Sequence, residues 1–164
     1  ILGNKIIKKN ISSGKEEVLF ERDKQIYHLS ISEDKTTLAF YVGEMGTGGT
    51  QQELYSMPIN SSKPKMLWKA TKEQFFTWHG GLNFFPDGKT LLLSLSTKNI
   101  EKQGEKSQQL FTININTLEK KPLGKERTDP NDFFEHVRLS PDGKKIAFSK
   151  IRTSGNIWSL EFDF

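Results

Sequence analysis

The side chains of this 164-residue chain that could do chemistry are few and widely spaced. Three histidines, His28, His79 and His136, could ligate a metal or carry a proton. There is no cysteine, which removes disulfides, thiolate zinc sites and a cysteine nucleophile. No Gly-x-Ser-x-Gly elbow occurs, so the histidines have no recognisable serine nucleophile to activate. The run Gly43–Gln51 carries Gly46, Gly48 and Gly49. It lacks the Gly-Lys-Ser/Thr ending of a phosphate-binding loop and opens no helix, so it reads as a hairpin loop. Asp129-Pro130-Asn131-Asp132 offers carboxylates for a cation but has the composition of a polar turn. Phe75, Phe76, Trp78 and His79 form an aromatic cluster before Gly80-Gly81, able to grip a peptide or sugar or to pack between layers. The candidate ligand contacts are therefore His28, His136, Trp78 and His79, with no catalytic set and no cofactor implied.

These residues need a scaffold, and composition narrows its kind. Hydrophobic residues make up 34% and charged residues 27%, the balance of a folded globular chain. No apolar run is long enough to cross a bilayer as a helix. The formal net charge of +4 is mild, and the lysines are spread over every segment rather than gathered on one aromatic-rich face. That spread argues against nucleic acid as a partner. The first residue is Ile1 and no signal peptide is visible, so the natural N-terminus is expected upstream.

The scaffold is a repeat. Leu29–Phe40, Leu82–Leu93 and Val137–Phe148 align on their aspartates Asp34, Asp87 and Asp142, which are 53 and then 55 residues apart. In each, a short alternating strand leads into a turn and a second apolar strand leaves it. The turn residues have separate physical roles. Pro86 and Pro141 pre-set a backbone angle, Asp87 and Asp142 can hydrogen-bond the turn, and Gly88 and Gly143 can take positive φ. The first copy has Glu33 and Lys35 in place of the proline and glycine, so its turn around Asp34 is expected to be looser. His28 and His136 occupy the same repeat position, where the second copy has Gly81.

A second element occurs four times, once before the first hairpin at 6–11 and once after each hairpin at 54–59, 110–115 and 157–162. Three copies run through a polar turn into a last short strand, at 18–20, 66–68 and 122–123. One unit is therefore four short antiparallel strands, A to D, with no helical window. Four strands in a repeat of this length predict an all-β chain of β-propeller blades. Thirteen strands are expected, about three blades' worth of a partial propeller. They divide as the end of a blade (1–23), a full blade (24–72), a second (73–126) and a last blade lacking its outer strand (127–164).

Ser140-Pro-Asp-Gly-Lys-Lys-Ile-Ala-Phe148, followed by Gly155-Asn-Ile-Trp158, resembles the repeat of TolB-like (WD40-like, PD40) β-propellers. The same repeat builds propeller domains of prolyl-oligopeptidase-type and tricorn-like peptidases. The resemblance covers essentially the whole chain and specifies fold far better than function. It implies a non-catalytic binding or scaffolding module, extracytoplasmic and bacterial, with a ligand or a protein or peptide partner at the loop face or channel mouth. The alternative it implies is a peptidase's propeller gating substrate access. It also implies that inner strands line a central channel, which would place His28 and His136 there, as metal ligands or as hydrogen bonds to a neighbouring blade. Gly81 breaks any ring of histidines. The last C strand, near Ile157–Leu160, is expected to expose an edge through which the chain could self-associate.

Overall fold

A computed structural model describes residues 3–43, 52–77, 80–98, 106–129 and 133–150, and the backbone of 157–161. All of its regular elements are strands, and every strand pairing is antiparallel. The first sheet has the order β1 (Gly3–Lys9), β2 (Glu16–Ile31), β3 (Thr37–Val42), β4 (Glu53–Pro58), β5 (Lys65–Lys69). In the second, β10 (Lys120–Arg127), β9 (Lys106–Asn114) and β8 (Thr90–Lys98) follow one another. Two short strands, β6 (Gln74–Phe76) and β7 (Leu82–Phe84), both pair with β8. The third is β11 (Phe134–Leu139), β12 (Lys145–Lys150), β13 (Ile157–Glu161). This is the stacked-blade arrangement of a β-propeller, about three blades' worth.

Two departures from the repeat have local causes. The expected D strand at 18–20 and the next A strand at 29–31 are one continuous strand, β2. Its first half pairs with β1 and its second with β3. Residues 16–31 contain no glycine or proline, so nothing in the chain chemistry stops the strand. The second A strand does the opposite and splits into β6 and β7 around Gly80-Gly81.

Packing follows from the strand positions. β3 and β8 are buried along nearly their whole length because both faces of these central strands meet a neighbouring layer. That is why 38–42 and 91–95 read as near-continuous apolar runs, Ser94 excepted, rather than alternating ones. Leu91, Leu93 and Leu95 join Tyr41, Leu54 and Phe76 in one core, while Leu92 and Leu110 join Phe134 and Phe148 in the next. Phe40 packs in a third core with Ile6, Leu38 and Tyr55. In β12 one face alternates out, leaving Ala147 exposed beside buried Ile146 and Phe148. Aromatic contacts cross these layers: Tyr41 stacks on Phe76 at 4.6 Å, and Phe148 meets Phe134 edge-on at 4.6 Å.

Two buried glutamines tie successive blades together. Gln108 of β9 accepts the backbone N–H of Phe134 through Oε1 and donates Nε2 to the Phe134 carbonyl at 2.9 Å. Gln52, just before β4, accepts the N–H of Phe76 at 2.6 Å. Phe76 and Phe134 are equivalent: Phe76 lies opposite Leu95, and Phe134 opposite Lys150, each eight residues beyond its turn aspartate. The glutamine amide thus does the work of a missing ladder strand for a peptide group enclosed between blades.

Replacing Gln108 by leucine should leave both polar groups of Phe134 buried and unpaired. Chemical denaturation should show a loss of about 2–3 kcal/mol. Gln52→Leu, which removes the acceptor of the buried Phe76 N–H, should also lower stability in the same measurement.

Candidate functional site

The three A–B turns share one geometry. In each, the N–H of the residue after the turn aspartate reaches back three residues, Lys35 to Ser32, Gly88 to Phe85 and Gly143 to Ser140, at 2.9–3.0 Å. The aspartates are held by local donors. Asp34 Oδ1 accepts from the Ser32 hydroxyl at 2.6 Å and the Thr36 N–H at 3.0 Å. Asp142 accepts in the same way from Ser140 and Lys144. Asp87 takes the N–H groups of Lys89 and Thr90 at 2.8 Å each and the Thr90 hydroxyl at 2.6 Å. Hydrogen bonds from the Ser32 hydroxyl and the Thr36 N–H hold Asp34 below the ordinary carboxylate range, and those from Ser140 and Lys144 do so for Asp142. At Asp87 partial burial pushes upward, but the Thr90 and Lys89 donors outweigh it and the carboxyl is lowered.

The first turn is not looser. Lys35 takes φ 58°, matching Gly88 at 62° and Gly143 at 74°. The Ser32–Asp34–Thr36 hydrogen bonds hold a lysine in a conformation that L-residues ordinarily avoid. The glycine at 143 has an added reason, since a Cβ there would stand 2.8 Å from the Pro86 ring of the preceding turn.

Six residues before each aspartate the chain is left-handed again: His28 at φ 50°, Gly81 at 76°, His136 at 52°. At His28 and His136 the strand register breaks between Tyr27 and Ser30 and between Glu135 and Arg138, the mark of a β-bulge. In the second copy only glycine fits, because a Cβ at 81 would lie 2.4 Å from the Val137 carbonyl oxygen of the next blade. The imidazole of His28 sits edge-on to Tyr27 and Tyr41, ring centres 5.7 and 5.8 Å away. Behind it the two phenol hydroxyls are buried with no hydrogen-bond partner among the described residues. Burial raises both phenol pKa values, and at Tyr41 the neighbouring Tyr27 adds to it.

The inner strands enclose two adjoining clefts. One, of about 340 Å³, is lined by His28, Ser30, Asn83 and Arg138 among apolar Leu29, Ile31 and Leu82. The other, of about 300 Å³, shares Ser30, Ile31 and Asn83 and continues to the turns at Glu33, Pro86 and Pro141. Residues of all three inner strands border both. Ladder alternation adds a polar element. Ser32, Phe85 and Ser140 are hydrogen-bonded to their partner strands, so one residue earlier Ile31, Phe84 and Leu139 turn their N–H and C=O away from them. No strand among the described residues pairs with that inward edge at Leu29–Ile31, β7 or β11.

The candidate residues are therefore used unequally. His28 borders the first cleft; exposed His136 borders neither. Trp78 and His79 lie outside the described residues, as do the Gly43–Gln51 loop beyond Gly43 and the side chain of Trp158. Phe76 is core. Among the described residues no three His, Asp or Glu side chains gather as metal ligands. Sequence reasoning missed Asn83 and Arg138 at the cleft. It also missed the glutamine ties, although Gln52 and Gln108 each stand two residues before an aligned leucine.

No family model and no curated protein matches this chain. Solved structures do. TolB from Acinetobacter baumannii is 21% identical with TM-score 0.59, over 94% of this chain and 34% of that one. The Pyrococcus horikoshii acylaminoacyl peptidase is 12% identical with TM-score 0.63, over 98% and 28%. The β-propeller domain of the Trilobed protease from Pyrococcus furiosus, described as having an open velcro topology, is 15% identical with TM-score 0.53, over 96% and 43%. The fold is that of a TolB-like β-propeller. The chain spans well under half the length of each of these proteins, and identities this low carry the fold alone. Within that fold, inner-strand edges and A–B turns surround the propeller axis, which is where both clefts lie.

Two outcomes follow from the turns. Lys35→Gly removes a left-handed lysine and should raise stability by about 1 kcal/mol in a denaturation curve. The turn aspartates have folded-state pKa values below their unfolded ones. Their stabilisation is complete above the unfolded carboxylate pKa of about 3.9 and is lost as pH falls through the folded values. An Asp87→Asn variant should be less stable at pH 7 and show a flatter loss of melting temperature below about pH 4.

Proposed function

We propose that this chain is a non-catalytic binding or scaffolding module of TolB-like propeller type, taking a protein or peptide partner at the channel mouth. One observation carries the reading. Three inner strands present edges with no partner strand among the described residues to two adjoining clefts, while the turn aspartates hold their own turns. Unpaired strand edges beside small apolar hollows suit an extended peptide, which gains main-chain hydrogen bonds along the edge and places alternate side chains in the hollows. His28 would contact the partner there, with His136, Trp78 and His79 at neighbouring positions. The blades would divide at about residues 23, 72 and 126, and the likeness to TolB supports an extracytoplasmic setting. The described residues contain no helix long and apolar enough to cross a membrane. Among the described residues β13 pairs only with β12, and its other edge would offer a second copy of the chain a place to add a strand, which chromatography with light scattering would detect as a dimer.

The likeness to the acylaminoacyl peptidase and the Trilobed protease propeller supports a second reading, a propeller gating access to a peptidase domain. Screening immobilised random peptides against the chain, with NMR mapping of any binder, tests the primary reading. Bound peptides should shift Ile31, Phe84 and Leu139 amides and remain uncut. Peptide cleavage that survives replacement of His28, His79 and His136 would overturn it.

A further inference from the structure

The first cleft is chemically lopsided. At the repeat position four residues before the turn aspartate stand Ser30, Asn83 and Arg138, one from each successive inner strand, and all three border it. Arg138 is the formally charged side chain on its lining. The guanidinium is not left to wander. Its Nη1 donates to the Val137 carbonyl at 3.0 Å, and Asn83 Nδ2 donates to the same oxygen at 3.1 Å. One carbonyl thus parks the arginine fork and the amide side by side. An arginine has five N–H donors and an asparagine amide two, so each keeps donors beyond the one it spends there.

Backbone geometry aims them. The left-handed residues His28 and His136 end their register breaks at Ser30 and Arg138, and a bulge of this kind re-aims the side chain that follows it. Gly81 leaves the room: a Cβ there would lie 3.3 Å from Arg138 Nη1. The rest of the lining is the His28 imidazole with three apolar side chains, Leu29 and Ile31 exposed and Leu82 buried. Glu33 lines the adjoining cleft and not this one.

We infer that this cleft, lined by Arg138, Asn83 and Ser30 over Leu29, Ile31 and Leu82, binds a carboxylate joined to an apolar group. The inference rests on the channel-mouth reading and names its ligand chemistry. A planar fork beside an amide donor matches the two oxygens of a carboxylate, and about 340 Å³ is the low end of a ligand pocket, room for a small acid or the last residue of a peptide.

NMR titration of the 164-residue chain tests this with four probes: acetyl-leucine and hexanoate, and their neutral amides. An acid should bind at least tenfold tighter than its amide and shift the Ser30 and Asn83 signals. Binding of acetyl-leucine alone assigns the site to a peptide C-terminus; binding of both acids assigns it to apolar acids generally. Arg138→Leu should bring the acid down to the affinity of the amide and leave the amide unchanged. Arg138→Lys, which keeps charge but loses the fork, should fall between. Equal binding of acid and amide overturns the carboxylate assignment while leaving the channel-mouth reading standing. The absence of any cleft shift with all four probes also overturns it, and the peptide screen then judges the broader reading separately. The comparison of acid with amide on the unaltered chain decides the matter even if an Arg138 variant does not fold.

Discussion

A backbone amide enclosed between two sheets must find a partner, and the arrangement of this protein depends on how that demand is met. At Phe76, the last residue of β6, and at Phe134, the first of β11, the N–H donates to a side chain of the preceding blade. Water is excluded there by Tyr41, Trp68, Leu92 and Phe148. Gln52 and Gln108 answer from the preceding blade with a side-chain amide that copies a peptide group. Each blade therefore fixes a point of the next inner strand segment by a directional bond as well as by packing, and the inner strands are the elements that line the clefts.

The remaining inter-blade contacts work through steric limits. Gly81 sits where a Cβ would strike the Val137 carbonyl, and Gly143 where one would strike Pro86. These close approaches bring one inner strand's side chains within hydrogen-bonding reach of the next strand's backbone, as Asn83 does at Val137. Cation–aromatic contacts add to the outer layers: Lys120 lies 4.3 Å over Trp68 and Arg127 4.0 Å over Phe134. A lysine or arginine stem covers apolar surface while its head stays near water, which suits the outer edge of a blade.

Function in such a fold is grafted onto rims and channel, and the same blades serve binding proteins and peptidases alike. In this chain the turn carboxylates are engaged with the backbone, while the side chains at the position four residues earlier, Ser30, Asn83 and Arg138, differ from blade to blade. A position that keeps its geometry but varies its chemistry is where a repeat scaffold can acquire a ligand without disturbing its packing.

The amino-acid sequence by itself determined the blades. Alternation around Asp34, Asp87 and Asp142 and the recurring apolar pairs of the C strands encode four antiparallel strands because these patterns are local, and local hydrogen bonding and burial suffice to read them. It did not show that Lys35 would adopt glycine's conformation, since the hydrogen bonds that Asp34 accepts from the Ser32 and Thr36 hydroxyls and the Thr36 N–H decide that. Nor did it show that β2 would run unbroken through two structural roles. Only the tertiary structure decided which residues meet. Gln108 and Phe134 are 26 residues apart and Asn83 and Val137 are 54 apart. Their meeting is set by how far each blade rotates against the last, a property of whole sheets packing against each other, which no run of adjacent residues records.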